Sequence, residues 1–566
     1  MLGLLNRSRR WLPGVLAGIG LAIHVAPLCY GDWEFIYSFD DGANFVENPM
    51  IQALTLPNIV AMATTVKINV YEPLSWLLKA FVHGLVGMQS KYVRMVSVLV
   101  HWTACGILGC ATHRLLAPSF ADRASVTIAA SLSAVLFAIH PVHIEVLMWP
   151  SAQPYPLAML FTSIMFLSHL HKPWSMVGTV AYMCAVLSKS IALFTPVGLV
   201  LLDVVRGHLQ LCPPKNLLPY FRKMSVCLVL SMALVATTYV ANQRGAGTDV
   251  DTISLTIPQR LAKVFIVTVW PIQAWLWPVN LRPHYQIPDP TALTLPTNPN
   301  VVFSVLIVLV TLVAGLTTGL ATTPASNWTL LASTLYMLTM VVPVSGLVQH
   351  GMVSLTADRY SYFATLVFIP LQALLLHRVG QRWATVVALT VFGLWGSLST
   401  NQLQAWRSEE ALWLHSLIQD PSDWRLLDQL AEYYLHHGRN ADAVPLMVES
   451  IWFGPTLGFK ATLFQAKQRM FLNRVTDGCS MYSALSNEMP PHPAVLNNLA
   501  VCALYRGEVD TARFLWETAV ALEKLGLSTL ETTGESDVGT IIPAHNLHQL
   551  DAFAAGMRGF QAQLMW

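Results

Sequence analysis

Long apolar runs separated by short polar segments dominate the first 400 residues of the chain. A helix needs about 20 apolar residues to cross a bilayer. The runs predict about eleven spans, near residues 12–30, 93–112, 124–139, 156–170, 175–188, 191–205, 224–241, 301–320, 328–347, 361–376 and 383–399. Segment 260–278 is also apolar, but its tryptophans and prolines favour an interfacial or re-entrant helix. Residues 1–400 are therefore expected to form an all-α, multi-span membrane domain.

After residue 400 the apolar runs stop and a period of about 34 residues begins. Pro421 and Pro455 share this spacing, and small residues such as Ala431 and Ala500 suit closely packed helix pairs. We interpret residues 401–525 as three or so tetratricopeptide-like helix pairs that form a short solenoid, with a generic helical bundle as the alternative. Residues 526–566 form a less regular C-terminal tail, for which a helix is one option.

The composition agrees with a membrane protein. Of 566 residues, 54% are hydrophobic and 11% are charged, which excludes a disordered chain and disfavours a soluble enzyme. The net charge of +2 gives no indication of a nucleic-acid partner. Cys479 and Cys502 are the cysteines that fall in the polar C-terminal region, and they could pair if that region is extracytoplasmic.

Basic residues indicate the orientation of the spans. Arg7, Arg9 and Arg10 precede the first span, and with eleven spans the basic loops at 113–123, 172, 206–223 and 378–382 fall on the same side. Because positive loops stay in the cytoplasm, the opposite side is extracytoplasmic. That side collects the repeats and a set of ionisable residues, which predicts one polar site there. The set comprises Asp40, Asp41, His140, His143, Glu145, Lys189, His284, Asp358 and Arg359.

Two adjacent carboxylates, Asp40 and Asp41, follow the first span. Beside a membrane they would attract a metal ion or accept a proton from an alcohol. The alternative is a polar turn, since the sequence DDG is also a turn signal.

A second cluster, HPVHIE, contains His140, His143 and Glu145. The two histidines are suited to binding a metal or contacting a phosphate, with helix capping and interfacial hydrogen bonding as the alternative.

Two cations complete the predicted site. Arg359, in the sequence Asp-Arg-Tyr, could hold a phosphate through a bidentate contact, or could instead pair with Asp358. Lys189 is the second candidate, with snorkelling to the membrane surface as its alternative role.

Seven stretches in this order resemble the transmembrane and tetratricopeptide-repeat O-mannosyltransferases and their bacterial multispan relatives, which are GT-C glycosyltransferases. The resemblance extends over nearly the whole chain, and the stretches that carry it are FDDGANFVENP (39–49), YEPLSWL (71–77), FAIHPVHIEVLMW (137–149), LSKSIALFTPVGLVLLD (187–203), WPVNLRPHY (277–285), VPVSGLVQHGMVSLTADRYSYF (342–363) and WRSEEALWLHSL (406–417). The chain departs from the family pattern at Ser190, where an acidic residue often stands, and at Gln153 and Tyr155, where charges often stand.

The resemblance implies an inverting transfer of mannose from dolichyl or another polyprenyl phosphate to serine or threonine hydroxyls of proteins. It also implies an endoplasmic reticulum membrane, or the inner membrane if the protein is bacterial, with luminal repeats that bind the acceptor. Asp40 would be the base, and Asp41 would orient it or join Glu145 in holding a divalent cation, with Glu145 also counted among the catalytic residues. Arg359, Lys189, His140 and His143 would bind the donor phosphate, and His284, Tyr285, Tyr71 and Trp76 would line the donor site.

Two other functions fit the same spans. One is a non-catalytic membrane scaffold that binds clients through its repeats. The other is a transporter, which should carry charges at mid-membrane and broken helices there, whereas the charges in this sequence gather at one face.

Overall fold

A computed structural model describes most of the chain. The described residues are 2–67, 70–207, 210–211, 214–215, 225, 229, 232–233, 255–287, 293–294, 297–321, 328–347, 354–453, 459–472, 474–488, 491–524, 543–544 and 546–550. The predicted span 224–241 and the tail 526–566 fall almost wholly outside these residues.

The described part is all-helical apart from two short strand pairs, as predicted. Its first fifteen α-helices are α1 (Leu2–Cys29), α2 (Leu56–Thr64), α3 (Pro73–Val86), α4 (Ser90–Leu116), α5 (Arg123–Ala138), α6 (Ile144–Met148), α7 (Pro154–His171), α8 (Met176–Ser188), α9 (Pro196–Val205), α10 (Ile257–Leu276), α11 (Pro299–Ala321), α12 (Thr329–Val341), α13 (Ser361–Ala364), α14 (Phe368–Arg378) and α15 (Gln381–Ala405). A π-helical segment covers Tyr37–Val46, and short 3-10 turns cover Pro49–Ile51, Ala117–Ser119, Pro141–His143, Pro150–Ala152, Ser190–Phe194, Val342–Val344, Asp358–Tyr360 and Thr365–Val367. The antiparallel strand pairs are β1 (Gln210–Leu211) with β2 (Pro214–Lys215), and β3 (Tyr285–Gln286) with β4 (Ser354–Thr356).

Seven more helices follow in the C-terminal region. They are α16 (Glu409–Gln419), α17 (Trp424–His436), α18 (Asn440–Phe453), α19 (Phe459–Phe471), α20 (Val475–Glu488), α21 (Pro493–Tyr505) and α22 (Val509–Lys524). From α17 onward, consecutive helices pack against each other as pairs. The first helices of the three pairs begin at residues 424, 459 and 493, about 34 residues apart. A disulfide joins Cys479 on α20 to Cys502 on α21.

Five described segments are long and apolar enough to cross a membrane, by length and composition alone: Trp11–Cys29, Ser90–Ser119, Pro299–Thr318, Asp358–Arg378 and Gln381–Ala405. Each coincides with a predicted span. A bent pair, Arg123–Ala138 with Pro141–Met148, raises the number to six if it forms one span. The predicted spans near 175–188, 191–205 and 328–347 are apolar helices shorter than this test requires, and α7 at 156–170 and α10 at 260–278 are not among the candidates.

The bend at the end of α5 has a local cause. His140 precedes Pro141, and a residue before proline is pushed out of the helical region. The backbone of His140 is accordingly extended, with φ −66° and ψ 131°, and Pro141 starts a new turn. After the bend, the HPVHIE segment runs through the interior of the protein, where residues 140–145 are buried.

The largest core is continuous across residue 401, where the sequence predicted a domain boundary. It includes Leu28 of α1, Phe137 of α5, Trp413 of α16 and Met447 of α18. A separate core begins in α19 and extends through α22 to Leu550. The helices just after residue 401 therefore pack with the helices that precede them, and the later pairs have their own core.

Candidate active site

The segment after α1 is wound so that its two aspartates point to different surroundings. Asp40 has a φ of +69°, a left-handed backbone conformation that residues other than glycine rarely adopt. Aspartate tolerates it better than most side chains, but the conformation still costs about 1–2 kcal/mol. The surrounding contacts must therefore hold the segment in place.

Asp41 is one of those contacts. Its side chain is fully buried; one carboxylate oxygen accepts the Ile36 backbone N–H at 2.8 Å, and the other accepts the Ser151 N–H at 2.9 Å and hydroxyl at 2.5 Å. Burial raises the pKa of Asp41 to about 7, against the opposing effects of the Ser151 hydrogen bonds and the charge of Arg94. Asp41 thus fastens the segment to the turn after α6.

The Asp40 carboxyl group, in contrast, makes no hydrogen bond or ion pair with any described residue. It is partly exposed and lies within electrostatic reach of four cations. Burial raises its pKa, while Arg359, Arg425, Lys189 and Lys79 lower it, in decreasing order. The site therefore combines an unengaged carboxyl group with a surrounding positive field.

Arg359 is held rigidly beside this group. Its guanidinium pairs with Glu145, and its backbone N–H donates to the second Glu145 oxygen at 2.7 Å. Its Cζ also lies 5.1 Å from the ring centre of Trp149 and 5.7 Å from that of Phe39. The alternative partner considered from the sequence, Asp358, instead accepts the hydroxyl of Tyr285 at 2.8 Å.

Strands β3 and β4 position Arg359 next to Glu145 of α6. Tyr285 of β3 pairs with Thr356 of β4, and the Asp-Arg-Tyr turn begins two residues later. The Tyr285–Asp358 hydrogen bond continues this pairing past the end of the strands. The short sheet thus places Arg359 against α6.

Lys189 has a partner that the sequence did not predict. Its ammonium group pairs with Glu72, which immediately precedes α3 and is buried. The same ammonium lies 5.0 Å from the ring centre of Tyr155. Lys79, about two turns after Glu72 on α3, is buried with its ammonium 4.0 Å from the ring centre of Trp76. The snorkelling alternative for Lys189 does not describe this environment, because the side chain points to a buried acid.

The C-terminal helices hold the Asp40 segment from the other side. Glu409, the first residue of α16, accepts the backbone N–H of Tyr37 at 2.9 Å and pairs with the Ser38 hydroxyl. Phe39 stacks on Trp149 at 4.3 Å between ring centres and meets Trp413 edge-on at 5.7 Å. The segment carrying Asp40 is therefore clamped between α6 and α16.

The two predicted phosphate-binding histidines do not belong to this site. His140 accepts the Val142 N–H at 3.2 Å with Nδ1, and its Nε2 lies 3.0 Å from the Trp275 carbonyl. His143 has Nδ1 2.9 Å from the Phe137 carbonyl and Nε2 3.4 Å from the Thr365 hydroxyl. Both side chains are fully buried and use both ring nitrogens within the protein. The capping alternative describes His140, and the assignment of both histidines to phosphate stays a prediction.

The predicted lining residues are dispersed. His284 has Nδ1 2.7 Å from the Asp423 carboxylate at the start of α17, so it joins the membrane domain to the C-terminal helices. Tyr285 supports Asp358, and the Tyr71 hydroxyl donates to the Ala63 carbonyl at 2.8 Å. Trp76 is fully buried beneath Lys79. Of these four residues, Trp76 contacts a cation of the site.

The residues predicted to hold a divalent cation do not fit one. Both Asp41 oxygens already accept hydrogen bonds, from Ile36 and Ser151, and Glu145 forms an ion pair with Arg359. Across the described part of the chain, no group of three or more histidine, cysteine or acidic side chains could hold a metal ion. Asp41 and Glu145 are therefore assigned to positioning roles.

Comparison with known proteins identifies no relative, because no family model, no curated protein and no solved structure matches this chain. The site must therefore be interpreted from its own geometry.

Sequence reasoning overlooked four groups of the site: Glu72, Lys79, Arg425 and Glu409. A signal was available for the first two of them. Glu72 and Lys79 are charged residues within an otherwise apolar stretch, and such residues are costly unless they have a task. Glu409 and Arg425 lie in the C-terminal region, which was considered separately from the membrane face.

Proposed function

We propose that this chain is a membrane-embedded glycosyltransferase that moves a sugar, mannose in the first instance, from a polyprenyl phosphate to a serine or threonine hydroxyl. One observation carries the proposal: the Asp40 carboxyl group has no partner among the described residues and lies within electrostatic reach of Arg359, Arg425, Lys189 and Lys79. A free carboxylate beside clustered cations provides a general base next to a place for an anionic leaving group.

In this reaction Asp40 takes the proton of the acceptor hydroxyl while the hydroxyl oxygen attacks the anomeric carbon. The bond between that carbon and the lipid phosphate oxygen breaks, and the phosphate leaves with the electron pair. A single displacement inverts the configuration, so a β-linked donor gives an α-linked product. Burial, which raises the pKa of Asp40, makes the carboxylate a stronger base than it would be in water.

The cations stabilise the charge that develops on the phosphate. Arg359 offers a planar fork that matches a phosphate, and its pairing with Glu145 fixes that fork before the donor arrives. Lys189 supplies a point charge, oriented by Glu72. Such preorganised groups contribute most where water is excluded, and aromatic rings surround Arg359.

The membrane arrangement belongs to the same proposal. We infer about eleven spans and a luminal, tetratricopeptide-like solenoid in the endoplasmic reticulum, or a periplasmic one in the inner membrane of a bacterium. The Cys479–Cys502 disulfide supports an oxidising compartment for the repeats. The regular spacing of the three helix pairs supports a repeat array whose concave surface takes the acceptor protein.

The deciding experiment compares Asp40→Asn with the matched control Asp32→Asn, which removes an exposed carboxylate of the same loop. Purified protein is given dolichyl phosphate mannose and serine- and threonine-containing peptides, and transfer is measured by mass spectrometry. We expect Asp40→Asn to lose at least about a hundredfold in rate, as general-base catalysis contributes roughly that much, and Asp32→Asn to keep the wild-type rate. Unchanged transfer by Asp40→Asn refutes the base assignment, and no transfer by the wild type favours a scaffold.

A further inference from the structure

An open cavity of about 970 Å³ lies at the opposite end of the bundle from Asp40. It is enclosed by α1, α4, α5 and α7 and by Arg206, which follows α9. The course of α4 fixes its position. Arg94, near the start of α4, donates to the Met148 carbonyl beside the Asp41 segment, whereas Arg114, at the other end, lines the cavity about 30 Å further along the helix.

The cavity wall is strongly one-sided in charge. Among the described residues that line it, His113, Arg114, Arg123, His171 and Arg206 are basic and none is acidic. A surface of this composition attracts an anion and repels a cation. The cavity is therefore suited to a negatively charged ligand.

Two of the three arginines in the wall, Arg114 and Arg206, converge on one point. Arg114 donates through Nε to the Leu170 carbonyl at 3.2 Å, and Arg206 donates through Nη1 to the same carbonyl at 3.5 Å. Both guanidinium groups are thus gathered around the last turn of α7. Planar guanidinium groups at close quarters suit the oxygens of a phosphate.

The floor of the cavity is made of small residues. Ala17 of α1, Gly106 and Gly109 of α4, and Ala134 of α5 line it. A methyl group added at Gly106 would meet nothing within 4 Å, whereas one added at Gly109 would lie 3.0 Å from the Ala134 side chain, so the open part of this groove lies at Gly106. This groove continues the basic wall into the apolar depth of the bundle.

We propose that the cavity binds an anionic phospholipid, with the phosphate between Arg114, Arg123 and Arg206 and an acyl chain along the small-residue groove. Pro13 lies at the start of the candidate span Trp11–Cys29 and Arg114 near the end of the candidate span Ser90–Ser119, which is the depth of lipid headgroups. A free phosphate would use the basic wall but not the groove. The same face is the predicted cytoplasmic side, where anionic lipids are concentrated.

The test is native mass spectrometry of the purified full-length chain with phosphatidylserine or phosphatidylcholine, with sodium phosphate as a soluble competitor. Arg123→Glu is the test variant, because Arg123 is exposed and its side chain bonds to no described residue. Arg382→Glu is the matched control: it is exposed at the start of α15 on the same predicted side and does not line the cavity. We expect phosphatidylserine to be retained about tenfold more than phosphatidylcholine, and Arg123→Glu to lose that preference while Arg382→Glu keeps it.

Three results would overturn the proposal: equal retention of the two lipids, equal effects of the two substitutions, or displacement of phosphatidylserine by millimolar phosphate, which would indicate a soluble ligand. If Arg123→Glu fails to give a monodisperse protein, His171→Glu repeats the measurement at another exposed position of the wall.

Discussion

Glu409→Gln should uncouple the Asp40 segment from the C-terminal helices. Glu409 is 5% exposed, and its carboxylate accepts the Tyr37 N–H at 2.9 Å, the Ser38 N–H at 3.4 Å and the Ser38 hydroxyl. A glutamine has nearly the same shape as a glutamate, but its side chain has a single oxygen that can accept hydrogen bonds. Its amide can still donate to the Ser38 hydroxyl, so the substitution mainly removes the charge from these bonds.

The expected loss of free energy in Glu409→Gln follows from these hydrogen bonds. Hydrogen bonds to a charged group contribute about 1.5–3 kcal/mol and neutral ones about 0.5–1.5 kcal/mol, so two or three weakened bonds amount to roughly 2–3 kcal/mol. The left-handed conformation of Asp40 costs about 1–2 kcal/mol, which these bonds now offset. The population of the productive segment should therefore fall by about 30- to 150-fold, since 1.4 kcal/mol is tenfold.

Steady-state transfer with varied donor concentration measures this effect. We expect kcat to fall by that factor while the KM for the lipid donor stays within about twofold, because Arg359 and Lys189 are untouched. Glu410→Gln is the control, since Glu410 is the next residue on α16 and pairs with Arg439 away from the segment. An unchanged kcat for a folded Glu409→Gln protein, or an equal loss in Glu410→Gln, would refute the clamping role.

Two other substitutions test the remaining supports of the site. Arg359→Lys should lower transfer by about tenfold or more, because a lysine cannot keep both the fork toward Glu145 and the stacking on the aromatic rings; kinetics at saturating donor would measure it, and wild-type rates would contradict it. The pKa of Asp41 is raised from an ordinary value of about 3.9 to about 7 by burial, so its contribution to stability is complete below about pH 4 and is lost as the pH rises through about 7. The melting temperature of the wild type should thus fall more steeply between pH 5 and 7.5 than that of Asp41→Asn, and parallel curves would show that Asp41 does not titrate there.

The fold was predictable to the extent that apolar runs report buried or lipid-facing helices. The five longest candidates coincide with predicted spans, and the Cys479–Cys502 disulfide agrees with the pairing considered from the sequence. Periodicity could not show that α16 to α18 share a core with the membrane helices, because core membership depends on contacts between distant segments.

The site was predictable in part for a similar reason. Asp40, Lys189 and Arg359 stood out as ionisable groups at one membrane face, and the structure brings them into one electrostatic environment. Their partners could not be read from spacing, since 117 residues separate Lys189 from Glu72. The sequence could not assign the histidines, because an imidazole that is hydrogen-bonded inside a core has the same sequence signature as one that binds a ligand.

Because one core extends across residue 401, its extent determines at which positions recombination can replace part of this chain without breaking the core. A crossover near residue 400 would remove the contacts of Glu409 with Tyr37 and Ser38 and the charge of Arg425 near Asp40, and it would expose Trp413, so the hybrid would lose support for the Asp40 segment. A crossover in the stretch between α18 and α19 would leave the loop intact and replace the later helix pairs as a cassette. Descendants with new acceptors are therefore expected to diverge after residue 458 and to keep the preceding helices with their membrane part.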